Sequence, residues 1–144
     1  GVLALRSSGA AAAVAAASQR LGGESLDDAG YWVGLREQRL PYFAGDAPLW
    51  RLSLPAVAPP PGLAGEQLIE WGGGLRWLRS NLPPAAIRAR AQALGGHATL
   101  FRGGDRAAGA FTPLAPALAA IHRRLKAEFD PAGIFNPGRM YAGL

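Results

Sequence analysis

A chain of 144 residues with a net charge of +5 and no cysteine is long enough to bury an apolar core without the help of metal ions or disulfides. The absence of cysteine excludes disulfide frameworks, thiolate zinc sites, cysteine-ligated iron-sulfur clusters and cysteine nucleophiles from this chain. The charge comes almost wholly from arginines scattered along the chain, a pattern that favours solvated faces over a nucleic-acid-binding patch.

The sequence predicts neither a membrane segment nor a signal peptide. Its longest apolar run, residues 10–17, is mostly alanine and is too short to cross roughly 30 Å of hydrocarbon. The chain begins without methionine, directly before the strand-like residues 2–6, which suggests a piece of a longer protein. We expect one domain over residues 1–144, in a cytoplasmic setting.

In chain order, the first predicted elements are a strand and two helices. Residues 2–6 are predicted to form a short apolar strand, and residues 10–21 an alanine-rich helix whose narrow face of small side chains could lie close to a sheet. A second helix is predicted over residues 25–38. We interpret Asp27 and Asp28 as negative charge at its N-terminus rather than as an acid–base pair.

The middle of the chain predicts an antiparallel sheet. Alternating large and polar side chains favour strands, and three consecutive glycines between two of these strands are typical of a hairpin. The predicted strands are residues 50–54, 67–71, 75–79 and 97–101. Between them lie a surface connection at residues 55–65 and a helix, beginning at Pro83-Pro84, in which Ile87, Ala91 and Leu94 face inward.

An internal repeat supports this arrangement. Leu5-Arg6-Ser7 and Leu21-Gly22-Gly23 recur as Leu78-Arg79-Ser80 and Leu94-Gly95-Gly96, at a constant offset of 73 residues. We interpret the repeat as two strand–helix units whose helices pack on one face of a shared antiparallel sheet. The expected fold class is therefore α+β, with a ferredoxin-like sheet.

The C-terminal part, residues 113–144, is predicted to be a long helix followed by a shaped return segment. One face of the helix is apolar and carries Leu114, Leu118, Ile121, Leu125 and Phe129. Pro131 stops the helix at Asp130, and Asn136-Pro137-Gly138 favours a tight turn. The turn either packs back on the domain or presents the Asn136 amide and the Arg139 cation to a polar or anionic partner.

Residues 121–141, IHRRLKAEFDPAGIFNPGRMY, resemble the C-terminal signature of FAD-linked oxidases of the vanillyl-alcohol-oxidase type, and most closely that of the FAD-binding subunits of bacterial glycolate oxidase complexes. The positions that match the family pattern one by one are Asp130, Pro131, Asn136, Pro137 and Gly138. The resemblance implies a cap domain with an extended tail that returns toward a flavin-binding domain. It also implies that the residues approaching FAD are Asn136, Pro137, Gly138 and Arg139.

The resemblance implies a wider setting as well. In that family FAD is held mainly by a glycine-rich segment of an N-terminal domain, to which nothing in this sequence corresponds. The implied partners are a sister flavin subunit, an iron-sulfur subunit and glycolate, a 2-hydroxy acid that the complex oxidises to glyoxylate, with no nucleic acid partner. The complex would be peripheral to the inner membrane. We expect this chain alone to be inactive, to cap the flavin site in the full protein and to bind FAD weakly or not at all.

The sequence contains no convincing active site of its own. A 2-hydroxy acid oxidase needs a base near the substrate carbon, yet only His97 and His122 are available. We interpret both histidines as structural or surface residues. No metal site is predicted, and the catalytic residues stay unassigned.

Two other functions stay open on the sequence alone. A ferredoxin-like module could bind RNA or a small ligand if Trp71 and Trp77 shared a sheet face, although no strand has the aromatic-rich pattern of RNA-recognition motifs. Alternatively, the domain could serve only to dock a partner subunit, with Trp32, Tyr42 and Phe43 as exposed anchors.

Overall fold

The computed structural model describes residues 1–26, 29–141 and 143–144, and the backbone separates into two compact units, residues 1–40 and 41–144. Within the described part, every helix is too short or too polar to cross a membrane. The larger unit contains the whole sheet and the C-terminal helix.

The smaller unit contains two helices, and both were predicted. Helix α1 covers Ala11–Leu21 and ends where Gly22, at φ 68°, donates its N–H to the Ser18 carbonyl oxygen over 3.0 Å. Helix α2 covers Ala29–Arg36. No residue of α1 is buried. The two aspartates interpreted as charge at the start of the second helix, Asp27 and Asp28, lie outside the described residues.

The predicted strand at residues 2–6 is wrong. These residues have no regular secondary structure, and Val2, Leu3 and Leu5 are exposed, Val2 completely. A strand is stable only when a second strand pairs with its backbone N–H and C=O groups, and apolar side chains do not supply that partner. The repeat therefore does not mark two strand–helix units, because only the second copy of its Leu-Arg-Ser motif, at Arg79, lies at the end of a strand.

Four antiparallel strands form the sheet of the larger unit, which confirms the expected α+β class. The strands are β1 (Leu49–Ser53), β2 (Glu66–Glu70), β3 (Leu75–Arg79) and β4 (His97–Arg102), in the order β2-β3-β1-β4. Because β3 is inserted between β1 and β2, the order is that of a split βαβ arrangement. The connection from β1 to β2, however, contains no helix.

Helix α3, Pro84–Ala93, packs on one face of this sheet and confirms the predicted inward stripe. Ile87 and Ala91 are completely buried in a cluster with Trp50 and Leu52. Burying an Ile or Leu side chain contributes about 1.5–3 kcal/mol, so this layer is the core. The sequence predicted more than one helix on that face. In the described part of the larger unit, only one α-helix, α3, has buried side chains.

Arg76 fixes the proline-rich connection between β1 and β2. Its side chain is only 4% exposed and donates hydrogen bonds to the carbonyl oxygens of Ala58 (2.5 Å), Pro59 (2.8 Å) and Gly73 (3.0 Å). A cation in a protein interior needs such acceptors, because its desolvation otherwise costs several kcal/mol. The connection predicted at the surface thus has a buried anchor.

The hairpin between β2 and β3 turns through three residues with positive φ, namely Trp71 (52°), Gly72 (58°) and Gly73 (101°). A Cβ at Gly73 would lie 2.6 Å from the Ala56 carbonyl oxygen, so glycine is required there. Trp71 is 85% exposed at this turn, whereas Trp77 is buried in β3. The two tryptophans do not share an exposed sheet face, and the RNA-binding alternative lacks its stacking surface.

Aromatic side chains cover part of the sheet face opposite α3. Phe43, from a short 3-10 helix at Pro41–Ala44, meets Trp77 edge to face at 5.6 Å, and Phe101 meets Trp77 at 5.0 Å. Phe43 is buried and Tyr42 is half-buried, so the expectation that they are exposed anchors is wrong. Burial raises the pKa of Tyr42 to about 12.

Helix α4 covers Pro116–Phe129 and starts later than predicted. Thr112, next to the start of the predicted segment, pairs with the edge of the sheet: its hydroxyl donates to the Ala98 carbonyl oxygen at 2.8 Å and accepts the Ala98 N–H at 3.1 Å. After α4 the chain forms a succession of turns rather than an extended tail.

Candidate functional site

The carboxylate of Asp130 organises the return segment, residues 130–144. Pro131 ends α4, and the chain turns back so that Asp130 Oδ1 accepts the Ile134 N–H at 3.0 Å and Oδ2 accepts the Phe135 N–H at 2.9 Å. Gly133, at φ 64°, allows this reversal. Because Asp130 is only 7% exposed, water competes little for these hydrogen bonds.

Lys126 completes this cluster from one turn earlier in α4. Its ammonium group lies 2.5 Å from Asp130 Oδ2 and also donates to the carbonyl oxygen of Phe135. The hydrogen bond from Lys126 lowers the pKa of Asp130, and the two backbone amides lower it further, against the opposing effect of burial. The carboxylate is therefore ionised at neutral pH and held by one cation and two amides.

The predicted cofactor-binding residues lie side by side on the outside of the return segment, and all four are exposed: Asn136, Pro137, Gly138 and Arg139. Asn136 has a φ of 47°, and its carbonyl oxygen accepts the Arg139 N–H at 3.2 Å. Gly138, at φ 69°, donates its N–H to the Leu144 carbonyl oxygen at 2.6 Å. These backbone bonds fix the turn, while the Asn136 amide and the Arg139 guanidinium have no partner among the described residues.

A pocket of about 430 Å³ opens between α4 and the return segment. Phe135, Met140 and Tyr141 form apolar walls, Arg139 adds positive charge, and Lys126, which is paired with Asp130, also lines the pocket. No acidic side chain of the described residues lines it. A cleft of this composition suits a flat or anionic group of a ligand or of a neighbouring domain.

Tyr141 packs the far end of the return segment against the rest of the unit. Its ring lies 5.8 Å from that of Phe111 and 6.3 Å from the imidazole of His122. His122 is half-buried, and its Nδ1 is 2.9 Å from the Leu118 carbonyl oxygen, one turn back along α4. This hydrogen bond supports the structural interpretation of His122.

His97, the other candidate base, is exposed at the first position of β4 and does not line the pocket. The structure therefore does not bring the two histidines together at this site. In the part of the chain that the structure describes, no group of His, Asp or Glu side chains is arranged to hold a metal ion.

The predicted apolar face of α4 is exposed rather than buried. Large hydrophobic side chains cover one side of the helix and continue onto the return segment. We call this the α4 surface, and it consists of Leu118, Ile121, Leu125, Phe129, Ile134, Phe135 and Met140, each 46–80% exposed. Soluble proteins rarely leave many large apolar side chains in water unless another surface covers them.

Sequence reasoning missed Lys126 and Tyr141. The spacing of Lys126 and Asp130 was an available signal for the first, because residues four apart share one face of a helix. No local pattern marks Tyr141, since its contacts with Phe111 and His122 come from distant parts of the chain.

Comparison with known proteins shows what this chain is similar to. Residues 105–140 match the family model of FAD linked oxidases, C-terminal domain, and the match contains the Asp130 cluster and the turn at residues 136–139. Over 140 residues, 97% of its length, the chain is 50% identical to glycolate oxidase subunit GlcE of Escherichia coli (strain K12). The chain spans 39% of the length of that relative. No solved structure matches the chain significantly. The predicted resemblance to the C-terminal domain of FAD-linked oxidases is confirmed.

Proposed function

We propose that this chain is the C-terminal domain of the FAD-binding subunit of a glycolate oxidase complex, in which it caps the flavin site and oxidation of glycolate yields glyoxylate. The observation that carries the proposal is the 50% identity to the GlcE subunit over 97% of the chain. That relative is considerably longer than this chain. In this proposal a separate N-terminal domain holds most of the FAD.

The return segment fits a contact with one side of FAD rather than a complete cofactor site. Asn136 offers amide donors, Arg139 offers a cation for the anionic diphosphate, and the apolar walls of the adjoining pocket suit an aromatic ring. FAD, when bound, would supply the redox chemistry by accepting two electrons from the substrate. In this proposal Asn136, Pro137, Gly138 and Arg139 orient the cofactor and exclude water from it.

The α4 surface is proposed to dock on the FAD-binding part of the same protein. The GlcE relative extends well beyond the 39% of its length that matches here, which supports the presence of a further domain to cover this surface. Each large apolar side chain that leaves water contributes about 1.5–3 kcal/mol. Several such side chains are sufficient to hold two domains together.

The proposed complex includes a sister flavin subunit and an iron-sulfur subunit. The relative is named as a subunit of an oxidase, which supports an assembly of several chains. These 144 residues contain no cysteine to ligate an iron-sulfur cluster, and in this proposal the cluster belongs to the iron-sulfur subunit. We place the complex in the bacterial cytoplasm, at the periphery of the inner membrane.

Asn136 provides the test of the proposal in the full-length protein. Asn136→Gly removes the side-chain amide but keeps the positive φ, and we expect flavin occupancy to fall several-fold while the fold is retained. Flavin absorbance after gel filtration measures the occupancy, circular dichroism checks the fold, and glycolate-dependent dye reduction measures turnover.

Two further variants separate the effect of losing the side-chain amide from the effect of straining the backbone. Asn136→Ala removes the amide and also strains the turn, because alanine disfavours positive φ by about 1 kcal/mol, so its loss should exceed that of Asn136→Gly. The matched control is Asn81→Gly, at an exposed position between β3 and α3. Normal flavin content together with normal turnover in Asn136→Gly would defeat the assignment of this residue.

A further inference from the structure

The two edges of the sheet differ in whether the chain covers them. The order β2-β3-β1-β4 makes β2 and β4 the edge strands. At the β4 edge the outward backbone groups have partners, because the Thr112 hydroxyl bonds to the N–H and C=O groups of Ala98. The Ala110 carbonyl oxygen accepts the Leu100 N–H at 2.7 Å. The β4 edge is therefore closed by the segment that follows it.

The register of the strands shows which groups of β2 face outward. Along an antiparallel strand, residues whose N–H and C=O groups bond to one neighbour alternate with residues that direct these groups away from it. The Ser80 N–H, just past β3, donates to the Pro48 carbonyl oxygen, just before β1, so even-numbered residues of β3 bond to β1 and odd-numbered residues to β2. Odd-numbered residues of β3 pair with even-numbered residues of β2. Gln67 and Ile69 therefore direct their N–H and C=O groups outward.

These outward groups form an open edge. No hydrogen bond reaches them from the ranges of the chain that the structure describes. Natural edge strands are often protected by proline, lysine or a bulge. Strand β2 contains neither residue and pairs with β3 in an unbroken register. Such an edge can accept a further strand, because unpaired N–H and C=O groups are the template for strand pairing.

Two carboxylates select the charge of that further strand. Glu66 and Glu70 lie on one face of β2, and within the described residues their contacts with Arg79 and Trp77 engage Oε2, which leaves Oε1 to a partner. Opposite charges paired across strands are favourable, and like charges are not. The antiparallel register that pairs all of β2 with a second copy sets Glu66 against Glu70 twice, so self-pairing is disfavoured. A strand with basic residues at both positions fits.

Apolar side chains border the same edge. Ile69 is 57% exposed on the other face of β2, and the Trp71 indole is exposed at the hairpin that follows. Trp71 has a φ of 52°, an unusual conformation for an aromatic residue and one that is found most often at functional sites. Exposed tryptophans are frequent anchors of protein interfaces. A strand added to β2 would cover Ile69 and end beside Trp71.

We propose that β2 is a docking edge for an extended, positively charged strand of another protein chain, which pairs with Gln67 and Ile69 through its backbone. Basic residues of that strand face Glu66 and Glu70, an apolar residue lies between them, and Trp71 packs against the end of the strand. The inference rests on the proposed function in one respect, since the other chain is then a neighbouring subunit of the oxidase complex.

The test uses the full-length protein and a fluorescein-labelled peptide, TKTVTKT, whose two lysines and valine face the same side of an extended strand. A matched peptide with glutamate in place of both lysines is the control. We expect fluorescence anisotropy to show saturable binding of the lysine peptide, with a Kd about 10-fold or more below that of the glutamate peptide. Added salt should weaken the binding.

Ile69→Pro removes an outward N–H donor without removing a hydrogen bond of the sheet, and proline is tolerated in edge strands. The Kd for the lysine peptide should rise about 10- to 100-fold, because a carbonyl oxygen of the peptide then loses its donor. Ile69→Thr is the matched control, since it keeps the N–H and the branched side chain, and its Kd should change far less. Should Ile69→Pro fail to fold by circular dichroism, Ile69→Lys replaces it, because lysine protects an edge by its charge.

Two results overturn the inference directly. One is a folded Ile69→Pro protein that binds the lysine peptide as the wild type does, and the other is equal binding of the lysine and glutamate peptides. Residue-resolved hydrogen exchange adds a further criterion. If the amides of Gln67 and Ile69 are already protected in the full-length protein without peptide, its own chain covers this edge, and the inference is wrong.

The inference and the proposed function fail separately, because the peptide measurements require neither flavin nor turnover. If the wild-type protein holds flavin and oxidises glycolate but does not bind the lysine peptide, only the inference is wrong. If the protein binds that peptide through β2 but neither holds flavin nor oxidises glycolate, the proposed function is wrong and the docking edge remains supported.

Discussion

Asp130 illustrates how one carboxylate can determine the path of a whole segment. It accepts the N–H groups of Ile134 and Phe135 and pairs with Lys126, so three groups from both sides of the helix end converge on its two oxygens. These contacts place the turn at residues 136–139 in a fixed position relative to α4. The turn that we propose for FAD contact thus depends on a residue that does not itself face the pocket.

This arrangement makes the return segment sensitive to acid. Because the pKa of Asp130 is lowered in the folded protein, its stabilising effect is fully present above the pKa of an ordinary aspartate, about 3.9, and is lost as the pH falls through the lower folded value. We expect amide exchange in residues 131–141 of the full-length protein to accelerate in that window, as measured by peptide-resolved hydrogen exchange corrected for intrinsic rates.

The Asp130→Asn variant is the control for this prediction. It should exchange faster than the wild type at neutral pH and should show no acid-dependent step, because it has no carboxylate to protonate. Peptides from β1 provide an internal reference for global unfolding. Equal protection of the return segment in the two proteins at neutral pH would contradict the role given to Asp130.

Single residues also show what sequence reasoning can and cannot find. The position of Asp130 was predictable because Pro131 disfavours helix at the residue before it. The buried position of Arg76 was not, since an arginine in a strand is the same in sequence whether it is solvated or buried. Only the structure shows the three carbonyl oxygens that accept its hydrogen bonds.

Among the elements, the β1–β2 connection is stabilised by a side chain from the adjacent hairpin. Arg76→Met removes three charge-assisted hydrogen bonds and leaves the Ala58 and Pro59 carbonyl oxygens without their donor. We expect a loss of about 2–4 kcal/mol in the free energy of unfolding, measured by urea denaturation. Arg76→Lys should lose less, because an ammonium group retains the charge and one or two of the bonds. A loss below about 0.5 kcal/mol, typical of surface substitutions, would contradict the anchoring role.

Helix α4 gives a test of whether its apolar side is covered in the full-length protein. Ile121→Gln should cost about 1.5–3 kcal/mol if a neighbouring domain buries that side chain, and almost nothing if it stays in water. Thermal unfolding of the full-length protein distinguishes the two. Val57→Gln is the matched control, since Val57 is 94% exposed in the β1–β2 connection. Equal, negligible effects of both substitutions would argue against the proposed docking of the α4 surface.

The elements differ in how well sequence patterns predicted them, for physical reasons. The hairpin, α3 and β4 were predictable because glycine, proline and alternating side chains act locally. Residues 2–6 were not, because strand formation depends on a distant partner that the pattern does not specify. The apolar stripe on α4 was predicted correctly. A stripe shows only that one side of a helix is apolar, and whether that side is exposed depends on the elements that pack beside the helix.

At the scale of the whole molecule, the larger unit is a sheet with α3 on one face and a partly open second face. The predicted ferredoxin-like order is present, but a proline-rich connection replaces one of the two helices that such a sheet usually carries. That replacement was not visible in the sequence repeat, which suggested two equivalent halves. The return segment offers polar groups to a ligand, while the described residues hold no complete constellation for catalysis.

This incompleteness leads to a prediction about the cofactor. We expect residues 1–144 alone to lose FAD on desalting, while the full-length protein retains it, because the return segment supplies only a few donors on one side of the cofactor. Absorbance between 350 and 500 nm, roughly the range of flavin bands, measures the difference. A stoichiometric flavin spectrum retained by residues 1–144 would show that this chain contains a complete site.

The turn between β2 and β3 offers a practical advantage. Trp50 and Trp77 are 1% and 4% exposed and Trp32 is half-buried, whereas the Trp71 indole is 85% exposed, so Trp71 should contribute the largest share of the quenching of this chain's emission by dissolved iodide. A binding partner that settles on this hairpin would shield the indole from the iodide and shift its fluorescence to shorter wavelength. A partner that covers only α4 would leave this signal unchanged. The protein thus carries an intrinsic optical probe that can report, without any label, which of its sides a subunit occupies.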